Sequence, residues 1–114
     1  MSPTPPEARI QAALADIWIR TLPVIQARVD AIDVAIAELA KPSPGPDLID
    51  GGRAAAHQLS GVLGTFGLHR GTELARAIEE RLESGNGDEP PRLAQQADEL
   101  RSTVEGARVE DERA

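Results

Sequence analysis

Apolar residues recur along this chain at spacings of three and four, the period of an α-helix, and no stretch alternates as a half-buried strand would. The pattern predicts five helical segments. Thr4-Pro5-Pro6-Glu7 has the form of a capping box with prolines in the first turn, where a missing N–H costs little. The segment it opens runs to about Thr21 and places Ile10, Ala13, Leu14 and Ile17 on one face. Pro23 then opens a second segment, whose Ile25, Val29, Ile32, Ile36 and Leu39 form a bundle seam. Lys41-Pro42-Ser43-Pro44-Gly45-Pro46 ends that helix in a loop.

A third segment runs from about Asp47 to Phe66, with Ala56, Leu59, Leu63 and Phe66 as its apolar face, helped by Leu48, Ile49 and Val62. A short turn from Gly67 to Gly71 leads to Thr72, the expected N-cap of a fourth helix carrying Leu74, Ala75, Ile78 and Leu82. Ser84-Gly85-Asn86-Gly87-Asp88 forms a second loop. The last helix begins near Glu89-Pro90-Pro91 and aligns Leu93, Ala97, Leu100 and Val104. Short connections favour antiparallel neighbours. The fold expected is therefore all-α: an antiparallel up-down-up-down four-helix bundle, with an additional N-terminal helix packed near one end. No internal repeat is present, and residues 1–6 and 108–114 are expected to fray.

Composition narrows the class without naming a job. The 114 residues suit a single domain spanning 1–114. No cysteine occurs, which excludes disulfides and thiolate metal sites. The net charge is −7 and no Lys/Arg cluster appears, so nucleic acid and anionic membrane surfaces are disfavoured partners. No apolar run approaches the roughly 20 residues of a membrane span, and the N-terminus lacks the form of a secretory signal. A cytoplasmic protein is expected. A monomer is expected too, because the assembled bundle should leave no exposed apolar seam. Trp18 and Phe66 are the only aromatic residues, and Trp18 is expected to pack against the bundle.

One histidine changes the picture. At about 100° per residue, Leu59, Leu63 and Phe66 lie about 180–240° round the third helix from His57, so the imidazole faces away from the core. Gly61 and Gly64 lie within about 40° of the His57 stripe. Each costs about 1 kcal/mol relative to alanine inside a helix. Close helix packing is one reading of such glycines, but packing glycines should face the bundle, and these face away. They instead clear an approach surface beside His57. The third and fourth helices form a hairpin, and residues whose numbers sum to about 137 stand level in it. Glu79 is therefore level with His57, at the edge of the buried face. A carboxylate accepting the Nδ1–H of an imidazole fixes the tautomer and leaves Nε2 as a nucleophile. A solvated helix glutamate is the plainer reading of Glu79.

These residues resemble the histidine phosphotransfer (HPt) family, including the phosphoacceptor domain at the start of chemotaxis histidine kinases. The likeness rests on Ala56-His57-x-Leu59-x-Gly61, then Gly64-Thr65-Phe66-Gly67-Leu68, and on Glu79 at the position of the glutamate that hydrogen-bonds the phosphoacceptor. Its strong part covers about 25 residues, and the helix order extends it more weakly over the chain. The resemblance implies a phosphocarrier of a two-component phosphorelay rather than an enzyme with its own nucleotide site. His57 would accept a phosphoryl group from a receiver-domain aspartate or a histidine kinase and pass it on. No cofactor would be bound by this domain, and Mg²⁺ would sit on the partner. Gly61 and Gly64 would form the docking surface.

The chain departs from the family at one position. Three residues after the histidine the family usually has lysine, and here Ser60 stands there, able to offer only a neutral hydrogen bond. Arg53, one turn before His57 on the same side, could replace the cation, or be an ordinary solvated side chain. Reflection about the Pro-rich loop puts residue 30 level with His57, so Gln26, Asp30 and Asp33 either flank the site or form a solvated face. His57 and His69 lack a recognised metal-ligand spacing. Two alternatives stay open: a pseudo-HPt module that binds receivers without carrying phosphate, and a purely structural bundle.

Overall fold

The computed structural model describes residues 6–84 and 90–107. Four helices make up the fold: α1 (Pro6–Leu39), α2 (Pro46–Thr65), α3 (His69–Ser84) and α4 (Pro90–Gly106), with no strand among the described residues. α1 packs on α2, α2 on α3, α3 on α4 and α4 back on α1, with no close backbone contact across either diagonal. The capping box at Thr4, the Gly85–Asp88 loop and the terminal residues expected to fray lie, apart from Pro6, outside the described residues.

The separate N-terminal helix is corrected. Residues 6–39 form one helix that runs through Pro23. A proline inside a helix removes one hydrogen bond and costs about 3 kcal/mol. The loss falls on the solvent side, where Pro23 and Ile19, whose carbonyl it leaves without a partner, are both exposed. Trp18 before the proline and Ile25 after it are both buried and stand two turns apart on one face. Burying two such side chains contributes roughly 1.5–3 kcal/mol each, enough to offset the interruption.

Beyond the first half of α1, whose Ile10, Ala13, Leu14 and Ile17 are not buried, the core is the one the spacing predicts. Ile25, Val29, Ile32, Leu59, Leu63, Ile78, Leu100 and Val104 are essentially inaccessible, with Leu74, Leu82, Leu93 and several alanines around them. Leu48 is an exception and stays exposed in the first turn of α2. Trp18 packs edge-on against Phe66 with ring centroids 5.1 Å apart. At the other end of the same helix pair, Gly52 lies against Ala35. These two contacts show that α1 and α2 run in opposite directions. They also show that α1 continues past the end of α2. The expectation of no exposed apolar seam fails there: Ile10 and Ile17 remain about half exposed, because residues before Trp18 have no α2 opposite them.

Two connections fix the register of α2. Glu38, at the end of α1, is buried and accepts a hydrogen bond from the Gly45 N–H at 3.0 Å and an ion pair from Lys41 at 2.8 Å. Lys41 first, and then the Gly45 amide, hold its carboxyl below the usual carboxylate range. At the far end, Gly67 adopts φ +74°, the left-handed conformation that glycine tolerates. The Leu68 N–H reaches the Leu63 carbonyl and the Gly67 N–H the Gly64 carbonyl, a Schellman closure. α3 then starts at His69, earlier than expected, so Thr72 is not its N-cap. The Thr72 hydroxyl instead donates to the Leu68 carbonyl at 3.0 Å.

Candidate functional site

α2 turns His57 outward because Ala56, Leu59 and Leu63 hold its opposite face in the core. The His57 side chain is 70% exposed, while that of Glu79, on α3, is only 19% exposed. Their side chains meet: Nδ1 of His57 lies 2.8 Å from Oε2 of Glu79. An ionised carboxylate can only accept, so Nδ1 carries the hydrogen and donates it. In the neutral ring Nε2 is then the nitrogen with a free lone pair. The three-residue turn between α2 and α3, Phe66 to Leu68, brings this pair level.

Gly61 and Gly64 are exposed on the same side of α2. A β-carbon at Gly61 would meet nothing within 4 Å, and one at Gly64 would touch only the Thr72 hydroxyl, at 3.7 Å. Neither glycine is needed for helix packing. Gly52 and Gly71 are the packing glycines: a β-carbon at Gly52 would collide with that of Ala35, and one at Gly71 would come within 3.0 Å of Leu63. Gly52 could have been found in the sequence, since it continues the Ala56–Leu59–Leu63 stripe one turn earlier.

The polar neighbours are arranged differently from expectation. The Ser60 hydroxyl donates to the main-chain carbonyl of His57 at 2.7 Å, so it is turned to the backbone rather than toward the imidazole. Arg53 donates from both Nε and Nη2 to Asp50, at 3.0 and 2.9 Å, which draws its guanidinium toward the start of α2 and away from His57. Asp50 raises the Arg53 pKa, with smaller contributions from Glu83 and Glu79. The Asp50–Arg53 spacing of three on a helix is the signal that gives this pair away. Asp30 and Asp33 do not flank the site. They bind Arg101 of α4, at 2.7 and 2.6 Å, and form a clasp between α1 and α4. His69 stands at the exposed start of α3, ten residues and nearly three turns from the His57 level.

A crevice between α3 and α4, lined by Arg70, Leu74, Ala77 and Gln96 among others, does not include His57. His57 stands on an open convex strip, where a reacting group would have to be brought by another molecule. No described helix is long and apolar enough to cross a membrane.

A family model described as Hpt domain matches residues 10–110, and the chain belongs to this family. Hpt domains are the phosphotransfer modules of two-component signalling and work with receiver domains and histidine kinases. Comparison with curated proteins and with solved structures gave no match.

Proposed function

We propose that this protein is a phosphorelay intermediate whose phosphoacceptor is Nε2 of His57. The observation that carries the reading is the 2.8 Å His57–Glu79 contact on an imidazole that is 70% exposed beside a strip without side chains. In the transfer from a receiver domain, the Nε2 lone pair attacks phosphorus. The N–P bond forms as the bond to the aspartyl oxygen breaks, and the aspartate leaves as a carboxylate. Transfer from a kinase follows the same course, with ADP as the leaving group. No proton need move on the histidine, because Nδ1 keeps its hydrogen. Positive charge develops on the ring as the bond forms, and the Glu79 carboxylate stands where it stabilises that charge. The reverse reaction returns the phosphoryl group to a second receiver.

In this reading the chain supplies the nucleophile and its orientation, while the metal and the acidic cluster belong to the partner. Gly61 and Gly64 let the rim of the receiver's site come down over His57. An antiparallel up-down-up-down course for the four helices fits this role, since it makes α2 and α3 a rigid, outward-facing hairpin.

A second reading is favoured by one observation. With the Ser60 hydroxyl turned to the backbone and Arg53 held by Asp50, the phosphate meets neither the neutral hydrogen bond nor the cation expected from α2. A pseudo-HPt module would bind receivers and accept nothing. Incubation with a panel of phosphorylated receiver domains separates the two. Acid-labile, alkali-stable label on the protein that disappears in His57→Ala supports the carrier. Receiver binding without label supports the pseudo-module.

A further inference from the structure

We propose that Arg76 is the phosphoryl-binding cation of this site, reaching from α3 to the position that lysine would otherwise cover from α2. The inference rests on the reading of His57 as phosphoacceptor and adds a residue to it. Three cross-helix contacts fix the register of the hairpin: His57 with Glu79, Gly64 with Thr72, and Leu63 with Gly71. In each pair the residue numbers sum to 134–136, so the residue of α3 level with Ser60 is Arg76. The face is fixed as well. Thr72 and Glu79 both meet α2, and Arg76 lies four residues after the first and three before the second, in the same strip of α3.

The side chain is available. Arg76 is exposed and makes no hydrogen bond or ion pair among the described residues. Arg53, by contrast, is held by Asp50. The space Arg76 must cross is open, because Gly61 and Gly64 carry no side chain and the Ser60 hydroxyl is folded onto the backbone. A lysine at position 60 would occupy that space, so serine there and arginine at 76 are complementary choices.

The charge balance calls for such a group. A phosphoryl group brings about −1.5 to −2 charges at neutral pH. On Nε2 it would stand near Glu79, with Glu80 and Glu83 on the adjoining turn of α3. A guanidinium offers a planar fork that can hold two phosphoryl oxygens at once, and it stays charged at any physiological pH. Placed one turn along from the imidazole, it would bind the phosphoryl group as it arrives and stabilise it once attached.

The test follows label on His57 from a receiver domain charged with acetyl phosphate, comparing the wild type with Arg76→Ala, Arg76→Lys, Arg53→Ala and Arg76→Ala/Ser60→Lys. Arg76→Ala should slow labelling about tenfold or more, the effect of losing one charge-assisted contact to the transferring group. Arg76→Lys should recover part of the rate, and the double variant should recover most of it by restoring a cation from α2. Helical circular dichroism and binding of the unphosphorylated receiver should be unchanged, which a structural role would not leave so. On phosphorylation of the wild type, the Nε–H resonance of Arg76 should shift and that of Arg53 should not. A wild type that takes label, with Arg76→Ala within about twofold of it, or with Arg53→Ala slowed as much, overturns the assignment of Arg76 alone. A wild type that takes no label from any receiver overturns the phosphocarrier reading, and this inference with it.

Discussion

α2 carries glycines on two faces, and they are there for opposite reasons. Gly52 faces inward, where a β-carbon would run into Ala35 and lie 3.2 Å from the Ala31 carbonyl. It sets how closely α1 and α2 approach. Gly61 and Gly64 face outward beside His57, where a β-carbon would find open space or one ordinary contact. They do nothing for the packing of the protein and lower its helix stability. The comparison separates the part of α2 that builds the fold from the part that serves another molecule. Stability and transfer should therefore respond to different substitutions on one helix.

The sharpest break is Gly52→Ala. Forcing a β-carbon into that contact should destabilise the fold by about 1–3 kcal/mol, seen as a lower Tm, while the folded fraction still accepts label. An unchanged Tm would mean that α1 and α2 can separate at no cost. Glu79→Ala tests the outer face and should do the reverse. Labelling of His57 should fall about tenfold, as the imidazole loses its orienting carboxylate, with little change in Tm. If Tm fell and labelling held, Glu79 would belong to the packing side of the comparison.

Gly61→Ala is a smaller and opposite effect. It should stabilise the helix by about 0.5–1 kcal/mol, because alanine fits there without strain. Gly61→Leu should weaken receiver binding, and a titration showing equal affinity would remove Gly61 from the docking surface. The smallest effect concerns Glu38, whose clasp on Gly45 and Lys41 fixes where α2 starts. Its pKa is lowered from 4.5 in the folded state, so its contribution is present above pH 4.5 and is lost as pH falls through the lowered value. Wild type should be more stable than Glu38→Gln at neutral pH, with the gap closing under acid. A gap that stays constant down to strong acid would show that the clasp is not electrostatic.

How much of this was legible depends on distance along the chain. The pairing of His57 with Glu79 could be read because a turn of three residues leaves a hairpin little freedom in register. The burial of Leu59, Leu63, Ile78 and Leu100 followed from spacing alone. The continuous α1 could not be read, because Pro23 locally argues for a break and only the burial of Trp18 and Ile25 on the assembled bundle overrides it. The partners of Arg53 and Asp30 could not be settled either. Each had several carboxylates or arginines within reach, and rotamer and helix placement decided among them. Arg76 was invisible until the hairpin register placed it beside Ser60.

Helical periodicity and glycine placement, then, are properties the amino-acid sequence determines by itself, since each depends on backbone geometry within a few residues. They gave an all-α chain, an outward His57 and a cleared strip. Tertiary structure decided which glycine is a spacer, which arginine is held and which remains available, and where α1 outruns its neighbour. Those outcomes depend on how closely whole helices approach, and that distance is set by every packed side chain at once.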